Sequence, residues 1–103
     1  MTTYFVSRHP GAIEWAQGEA LAIDHFVPHL DLALLQRGDT VIGSLPVNLA
    51  AQVCAAGAAY WHLSLDLPAE FRGRELSAGD LRRLGAQVTP FEVRATTGSA
   101  AKT

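Results

Sequence analysis

The sequence predicts a single α/β domain in which a mostly parallel sheet is flanked by helices. Strand-like and helix-like segments alternate along residues 1–94, an order typical of parallel sheets with crossover helices. The chain has 103 residues, which is enough for one domain. Pro90 falls within the last strand-like segment, and proline suits only an edge strand because it lacks the N–H of a ladder hydrogen bond.

Two prolines and several bulky strand residues define the first half of the domain. Aromatic and β-branched residues favour strands. Pro10 and Pro46 suit the first turn of a helix, where an N–H has no acceptor. From these signals we expect, in order, a strand over residues 3–7, a helix over 11–17, a strand over 21–27, a helical turn over 31–36 and a strand over 40–44.

A glycine and a capping pair divide the second half. Gly57 suits the position that follows a helix, and Ser77 with Asp80 forms a capping box that begins one. We expect a helix over residues 47–56, an apolar interior strand over 58–65, a surface stretch over 69–76, a helix over 77–84 and an edge strand over 87–94. This order predicts a compact Rossmann-like fold over residues 1–94 and a polar, disordered tail over 95–103.

Composition limits the classes of partner. The formal net charge of −2 gives no field that attracts polymeric nucleic acid or an anionic membrane. Seven of the eight basic residues are arginine, which suits a small phosphate ligand because the guanidinium donates hydrogen bonds in pairs. The alternative is that the composition rich in alanine and arginine reflects codon bias. Charged residues make up 17 % of the chain, against about 25 % in average proteins, and the resulting apolar surplus predicts a homodimer.

The sequence also bears on the compartment. One cysteine excludes an internal disulfide framework and a cysteine zinc cluster. The N-terminal residues lack the pattern of a signal peptide, and no apolar run approaches the roughly 20 residues of a membrane helix. We therefore expect a cytoplasmic protein without a membrane partner.

Two strand-to-helix junctions are candidate anion sites. Residues 7–11 (SRHPG) and 44–48 (SLPVN) both place a serine and a proline where a strand gives way to a helix. Ligands of open α/β sheets bind at this edge, where backbone N–H groups are unpaired. The alternative is that serine and proline simply favour helix starts. Arg8 and His9 favour function at the first junction, because arginine grips phosphate and histidine transfers protons near neutral pH.

Several other residues have two interpretations each. Asp66, at the end of the fourth strand, is either a site residue or a helix cap. Arg72 and Arg74 either fold over a bound anion or are solvated on a surface loop. Trp15 and Trp61 are able to stack on a base, but packing is the better interpretation.

The histidines outside the first junction are weaker candidates. His25 and His29, with Asp24 and Asp31 nearby, are either metal ligands or solvated loop residues. The proline between the two histidines prevents a shared helix face, so we predict no metal site. His62 lies within the fourth strand and is expected to be a core histidine with a hydrogen-bond partner.

Four segments together resemble one known family: residues 4–12 (YFVSRHPGA), 43–50 (GSLPVNLA), 62–68 (HLSLDLP) and 72–76 (RGREL). They are similar to a small family of CRISPR-associated accessory proteins found beside type III systems. The resemblance covers nearly all of residues 1–94, and the strings are specific in combination.

The resemblance implies a compact CARF-like domain with ring nuclease activity on a cyclic oligoadenylate. The expected substrate is cyclic tetra-adenylate, cut without metal or other cofactor by attack of a ribose 2′-hydroxyl on the adjacent phosphate. The expected product is linear di-adenylate with a 2′,3′-cyclic phosphate, and its formation switches antiviral signalling off. The competing interpretation is a non-catalytic binder, either a messenger sponge or a ligand-sensing partner of an effector.

The chemistry of that reaction fits residues of the two junctions and of the segments that follow the fourth strand. Arg8 would stabilise the charge of the transition state, and His9 would move a proton. The expected ligand-binding residues are Ser7, Gly11, Ser44, Asn48, Asp66, Arg72 and Arg74. An isologous dimer would place two copies of this site around one symmetric ring.

Overall fold

The alternating order of strands and helices is confirmed by a computed structural model, which describes residues 1–97. Its regular elements are β1 (Thr3–Val6), α1 (Pro10–Gly18), β2 (His25–Val27), β3 (Thr40–Gly43), α2 (Val47–Ala55), β4 (Ala59–Ser64), α3 (Ala78–Arg83) and β5 (Gln87–Phe91). Short 3₁₀ turns lie at Leu32–Leu34 and Ala69–Phe71. Of the predicted disordered tail, residues 98–103 lie outside the described residues.

The sheet has the order β2-β1-β3-β4-β5 and confirms the predicted fold class. The first four strands in the chain run parallel, and β5 runs antiparallel to β4 at the edge, as Pro90 indicates. After β2 is added on one side of β1, β3 is added on the other. The topological switch therefore lies between β1 and β3, where sheets of this type form their ligand crevice.

The two faces of the sheet hold separate parts of the core. Phe5, on β1, packs with Trp15 of α1 and Leu81 of α3 on one face. Val41 and Tyr60 pack with α2 on the other face. The residues that contact the two helix layers alternate along β1, β3 and β4, as the period-2 geometry of a strand requires. None of the helices within residues 1–97 is long and apolar enough to cross a membrane.

The second strand is shorter than the sequence predicts. Residues 21–27 have the apolar character of a strand, but only His25–Val27 pair with β1. Leu21 and Ile23 partly bury their side chains against the α1 face of the core, while their N–H groups donate to the Glu19 and Leu21 carbonyls. The apolar residues of this segment therefore reflect burial without strand pairing. At the other edge, β5 ends at Phe91 rather than at residue 94.

Two carboxylates accept hydrogen bonds from backbone N–H groups and stabilise the connections around them. Asp39 is buried and accepts hydrogen bonds from the N–H groups of Gln36 and Thr2, each at 2.9 Å. These two donors lower its pKa below the ordinary value of 3.8. The capping box of Ser77 and Asp80 forms as predicted, and the Ser77 N–H lowers the pKa of Asp80.

Candidate functional site

A cleft of about 560 Å³ opens at the carboxyl ends of β1 and β3, at the topological switch. Its volume is within the range of about 300–1,000 Å³ that is usual for small-molecule sites. Leucines from both faces of the sheet form its apolar part, and polar groups come from four chain segments. These segments are the β1–α1 loop (residues 7–9), the β3–α2 loop (residues 44–46), residues 74–76, which precede α3, and residues 28–30, which follow β2.

The β1–α1 loop is ordered by its own hydrogen bonds. The Ser7 N–H donates to the Val27 carbonyl at 3.0 Å and extends the β1–β2 pairing by one residue. The Ser7 Oγ accepts from the His9 N–H at 3.1 Å, so its own O–H proton is available to a ligand. Arg8 and His9 are exposed at the cleft. Helix α1 begins immediately afterwards at Pro10.

The β3–α2 loop packs closely against both neighbouring strands. A Cβ on Gly43 would lie 2.9 Å from the Val6 carbonyl oxygen, so only glycine allows β3 this close to the end of β1. The Ser44 Oγ donates to the Leu63 carbonyl of β4 at 2.6 Å. Ser44 therefore offers a ligand its lone pairs, because its proton is already used.

Tyr60 supports the β3–α2 loop from beneath. Its hydroxyl accepts from the Leu45 N–H at 2.9 Å and lies 3.1 Å from the Gly43 carbonyl oxygen. The Tyr60 hydroxyl oxygen is also 2.6 Å from Nδ1 of His62, so His62 has the hydrogen-bond partner expected from the sequence. Burial raises the pKa of the Tyr60 phenol. The hydroxyl thus remains protonated at neutral pH and serves the loop as both donor and acceptor.

Residues 74–76 line the cleft next to the β1–α1 loop, because the Leu76 backbone packs closely against Gly11 at the start of α1. The Glu75 Oε2 lies 3.1 Å from Nδ1 of His9 and links the two segments at the opening. The Arg74 guanidinium stacks on the Phe71 ring at 4.3 Å. The side chains of His9 and Glu75 are 68 % and 59 % exposed, and ion pairs this exposed contribute only about 0–1 kcal/mol to stability. The pair is therefore a feature of the cleft rather than a support of the fold.

The structure brings five of the predicted site residues together. Those that line the cleft are Ser7, Arg8, His9, Ser44 and Arg74. With the histidines neutral, two arginines face one carboxylate there, so the polar part of the cleft has a positive charge balance. Such a lining suits an anionic ligand with an apolar part.

Four predicted ligand-binding residues lie outside the cleft lining. Gly11 is buried, and a Cβ at this position would overlap the Leu76 carbonyl oxygen, so Gly11 permits a close approach of two chain segments. Asn48 is exposed on the first turn of α2. Asp66 is exposed and its N–H donates to the Leu84 carbonyl at 3.0 Å. Arg72 is exposed directly after the second 3₁₀ turn.

The two histidines of the possible metal pair have different surroundings. His25 lies on β2, where its ring is 5.6 Å from the ring of Tyr4, whereas His29 lines the cleft. Within residues 1–97, no group of three or more histidine, cysteine or acidic side chains is placed to hold a metal ion. Trp15 is only 3 % exposed and packs in the core, as expected.

Sequence reasoning assigned no role to Glu75 and placed His29 only with the metal pair. Glu75 is part of the RGREL string, which was the one available signal. Its contact with His9 spans 66 positions in the chain, and no local pattern reports a contact at that separation.

Comparison with known proteins identifies a family. The family model described as "Putative CRISPR-associated protein (Cas_VVA1548)" matches residues 4–94. This range includes all five elements of the sheet except the first residue of β1. No curated protein and no solved structure matches the chain.

Proposed function

This chain belongs to the family of CRISPR-associated proteins whose model matches residues 4–94, and on that premise we propose that it is a metal-independent ring nuclease. It binds cyclic tetra-adenylate in the cleft and converts it to linear di-adenylate with a 2′,3′-cyclic phosphate. Loss of the cyclic messenger switches off type III CRISPR signalling.

The observation that carries the proposal is the set of groups at the topological switch. A permanent cation, a proton-transfer group and a free hydroxyl proton come from three successive residues, Ser7, Arg8 and His9. Arg74 adds a second cation from the segment that precedes α3. The leucine-lined interior suits a base, and the cations at the opening suit the phosphates of the same nucleotide.

The reaction needs one proton acceptor and a stabilised phosphorane-like charge. The His9 ring accepts the proton of the ribose 2′-hydroxyl, and the bond from O2′ to phosphorus forms. The bond from phosphorus to O5′ breaks, and O5′ leaves with a proton taken from solvent. Arg8 stabilises the charge that gathers on the phosphoryl oxygens during this exchange. Each cleavage opens one linkage, so two cleavages on opposite sides of the ring yield two di-adenylates.

A dimer matches both the size and the symmetry of the ligand. A ring of four nucleotides is larger than the ligands that a cleft of about 560 Å³ encloses. Two clefts related by a two-fold axis would each hold half of the ring and cut one linkage. We expect light scattering to show a dimer, either free or with cyclic tetra-adenylate present. A monomer under both conditions would contradict this part of the proposal.

One observation favours the alternative function, a non-catalytic binder of the same messenger. His9 and Glu75 are both mostly exposed, whereas catalytic proton acceptors commonly work in sites that exclude water. Sequestration requires the cations Arg8 and Arg74 but no proton acceptor. The two functions therefore differ in the role of His9 and in the fate of the ring.

Single-turnover incubation with cyclic tetra-adenylate and a metal chelator tests the proposal. For the nuclease, di-adenylate with a 2′,3′-cyclic phosphate accumulates despite the chelator. His9→Ala slows cleavage about 10²–10⁴-fold with little loss of binding, and Arg8→Ala slows it about 10²–10³-fold and also weakens binding. His25→Ala is the matched control, because His25 is exposed but lies outside the cleft.

Each of three results would contradict one part of the proposal. An intact ring bound by the wild-type protein assigns the chain to the binder class. If the chelator abolishes cleavage and Mg²⁺ or Mn²⁺ restores it, the reaction depends on a metal ion and the metal-independent mechanism is wrong. A His9→Ala protein that cleaves within a few-fold of the wild type removes His9 from the reaction.

A further inference from the structure

We infer that Glu75 is the positioning residue of His9: its carboxylate holds the proton on Nδ1 and leaves Nε2 free to accept the proton of the 2′-hydroxyl. The catalytic part of this inference rests on the proposed function. Its structural part concerns the tautomer of one histidine and can be tested without any substrate.

The tautomer follows from the chemistry of the contact. An ionised carboxylate only accepts hydrogen bonds, and Oε2 of Glu75 lies 3.1 Å from Nδ1 of His9. The proton of a neutral His9 ring must therefore be on Nδ1, which makes Nε2 the acceptor. An unrestrained histidine in water favours the opposite tautomer, with its proton on Nε2 and no acceptor at that atom. Without Glu75, most His9 rings would thus present the wrong nitrogen to the substrate.

The backbone at both ends holds this contact in place. The His9 N–H is bound to the Ser7 Oγ, and the His9 carbonyl accepts the first two helical hydrogen bonds of α1, from Ala12 and Ile13. On the other side, Leu76 packs on the core directly after Glu75. Both side chains therefore extend from fixed backbone, although their polar ends are exposed.

The other charged groups of the cleft make Glu75 the distinctive partner. Arg8, Arg74 and His29 line the same cleft. In its charged form, each of these side chains has only hydrogen-bond donors, so none accepts a hydrogen bond from Nδ1 of His9. Arg8 and Arg74 are also needed for the phosphates under the proposed function. A carboxylate in an anion site opposes phosphate binding through its charge, so its presence is explained by what it does to His9.

Ring nitrogen NMR of the full-length protein, at a pH where histidine is neutral, tests the structural part. In the wild type, His9 is expected to show the Nδ1–H tautomer. Glu75→Ala moves it to the Nε2–H tautomer, whereas Glu75→Gln retains Nδ1–H because the amide oxygen still accepts. The control is Glu70→Ala, which removes another exposed acid from the connection between β4 and α3. It leaves the His9 signals unchanged. A wild-type Nε2–H tautomer, or a Glu75→Ala spectrum like the wild type, overturns the inference whatever the activity.

Kinetics then test the catalytic part. Glu75→Ala is expected to slow single-turnover cleavage about 10- to 100-fold, as when a carboxylate that orients a metal-bound histidine is removed. Binding of cyclic tetra-adenylate should be equal or tighter, because a negative charge is lost. Glu75→Gln should recover most of the rate. Cleavage by Glu75→Ala at the wild-type rate overturns the catalytic role. If the wild type cleaves no ring, the nuclease proposal fails, and the NMR result still decides whether Glu75 orients His9.

Discussion

Gly11→Ala is the substitution that best separates a packing role from a ligand-binding role at the start of α1. A Cβ at this position would overlap the Leu76 carbonyl oxygen and lie 2.9 Å from the Leu76 carbonyl carbon and 3.1 Å from that of Ser77. Carbon atoms at optimal contact are about 3.5–4.0 Å apart. All three contacts are backbone atoms, so no side-chain rotation relieves them.

The magnitude follows from two opposing effects. Forcing an extra methyl group into a packed interior costs about 1–3 kcal/mol, and against backbone atoms that no rotamer change can move the cost falls at the upper end, about 2–3 kcal/mol. Alanine gains about 1 kcal/mol over glycine within a helix. We therefore expect Gly11→Ala to lower the free energy of unfolding by about 1–2 kcal/mol. For a domain of this size, such a loss lowers Tm by about 4–16 °C.

Urea and thermal unfolding of the ligand-free protein measure the effect, with Gly79→Ala as the control. A Cβ on Gly79 in α3 would meet its nearest atoms at 3.7 Å, an ordinary contact. That control is expected to be as stable as the wild type or more stable, by up to about 1 kcal/mol. If Gly11→Ala unfolds at the same temperature as Gly79→Ala, the close approach to residues 76–77 is not what requires glycine. A variant of wild-type stability that binds cyclic tetra-adenylate poorly would restore Gly11 to the ligand-binding residues.

Two further substitutions test groups that hold the two ends of the sheet. Tyr60→Phe leaves the Leu45 N–H without its acceptor and should cost about 1–3 kcal/mol in urea unfolding; an unchanged midpoint would show that the hydroxyl does not support the loop. Asp39 has a pKa held below 3.8, so its stabilisation is complete above that pH and is lost as the pH falls through the lowered pKa. Asp39→Asn should therefore be less stable at neutral pH and show a shallower loss of stability in acid. An acid profile as steep as that of the wild type would assign the acid dependence to other carboxylates.

The sequence predicts the order of the elements well because their boundaries depend on local chemistry. Pro10 suits the first turn of a helix because its missing N–H has no acceptor there, and Gly57 suits the position after α2, where φ is +88°. The error in β2 has a different origin. Partly buried residues in a connection and partly buried residues in a strand have the same apolar character, and only pairing with β1 distinguishes them.

The two junctions of the site are predictable for the same local reason. Each is a continuous string in which a strand ends, a hydroxyl follows and a helix begins. The parallel order of β1 and β3 then brings the two strings to one edge. Asn48 belongs to the second of these strings and Arg72 to the string RGREL at residues 72–76, but whether a side chain lines a cleft depends on helix rotation and on loop path. Neither of these is fixed by local sequence.

The third segment of the cleft depends on a contact that the sequence does not report, and Gly11 explains how that contact arises. A glycine two residues after His9 lets the backbone of residues 76–77 approach the first turn of α1. Because Glu75 immediately precedes this point of approach, the same packing brings its carboxylate to within 3.1 Å of the His9 ring. Gly11 then serves the site without contacting a ligand: its missing side chain lets the segment that carries Glu75 pack against the start of α1. On this reasoning, Gly11→Ala displaces residues 74–76 and shifts His9 toward the Nε2–H tautomer, although neither His9 nor Glu75 has been changed.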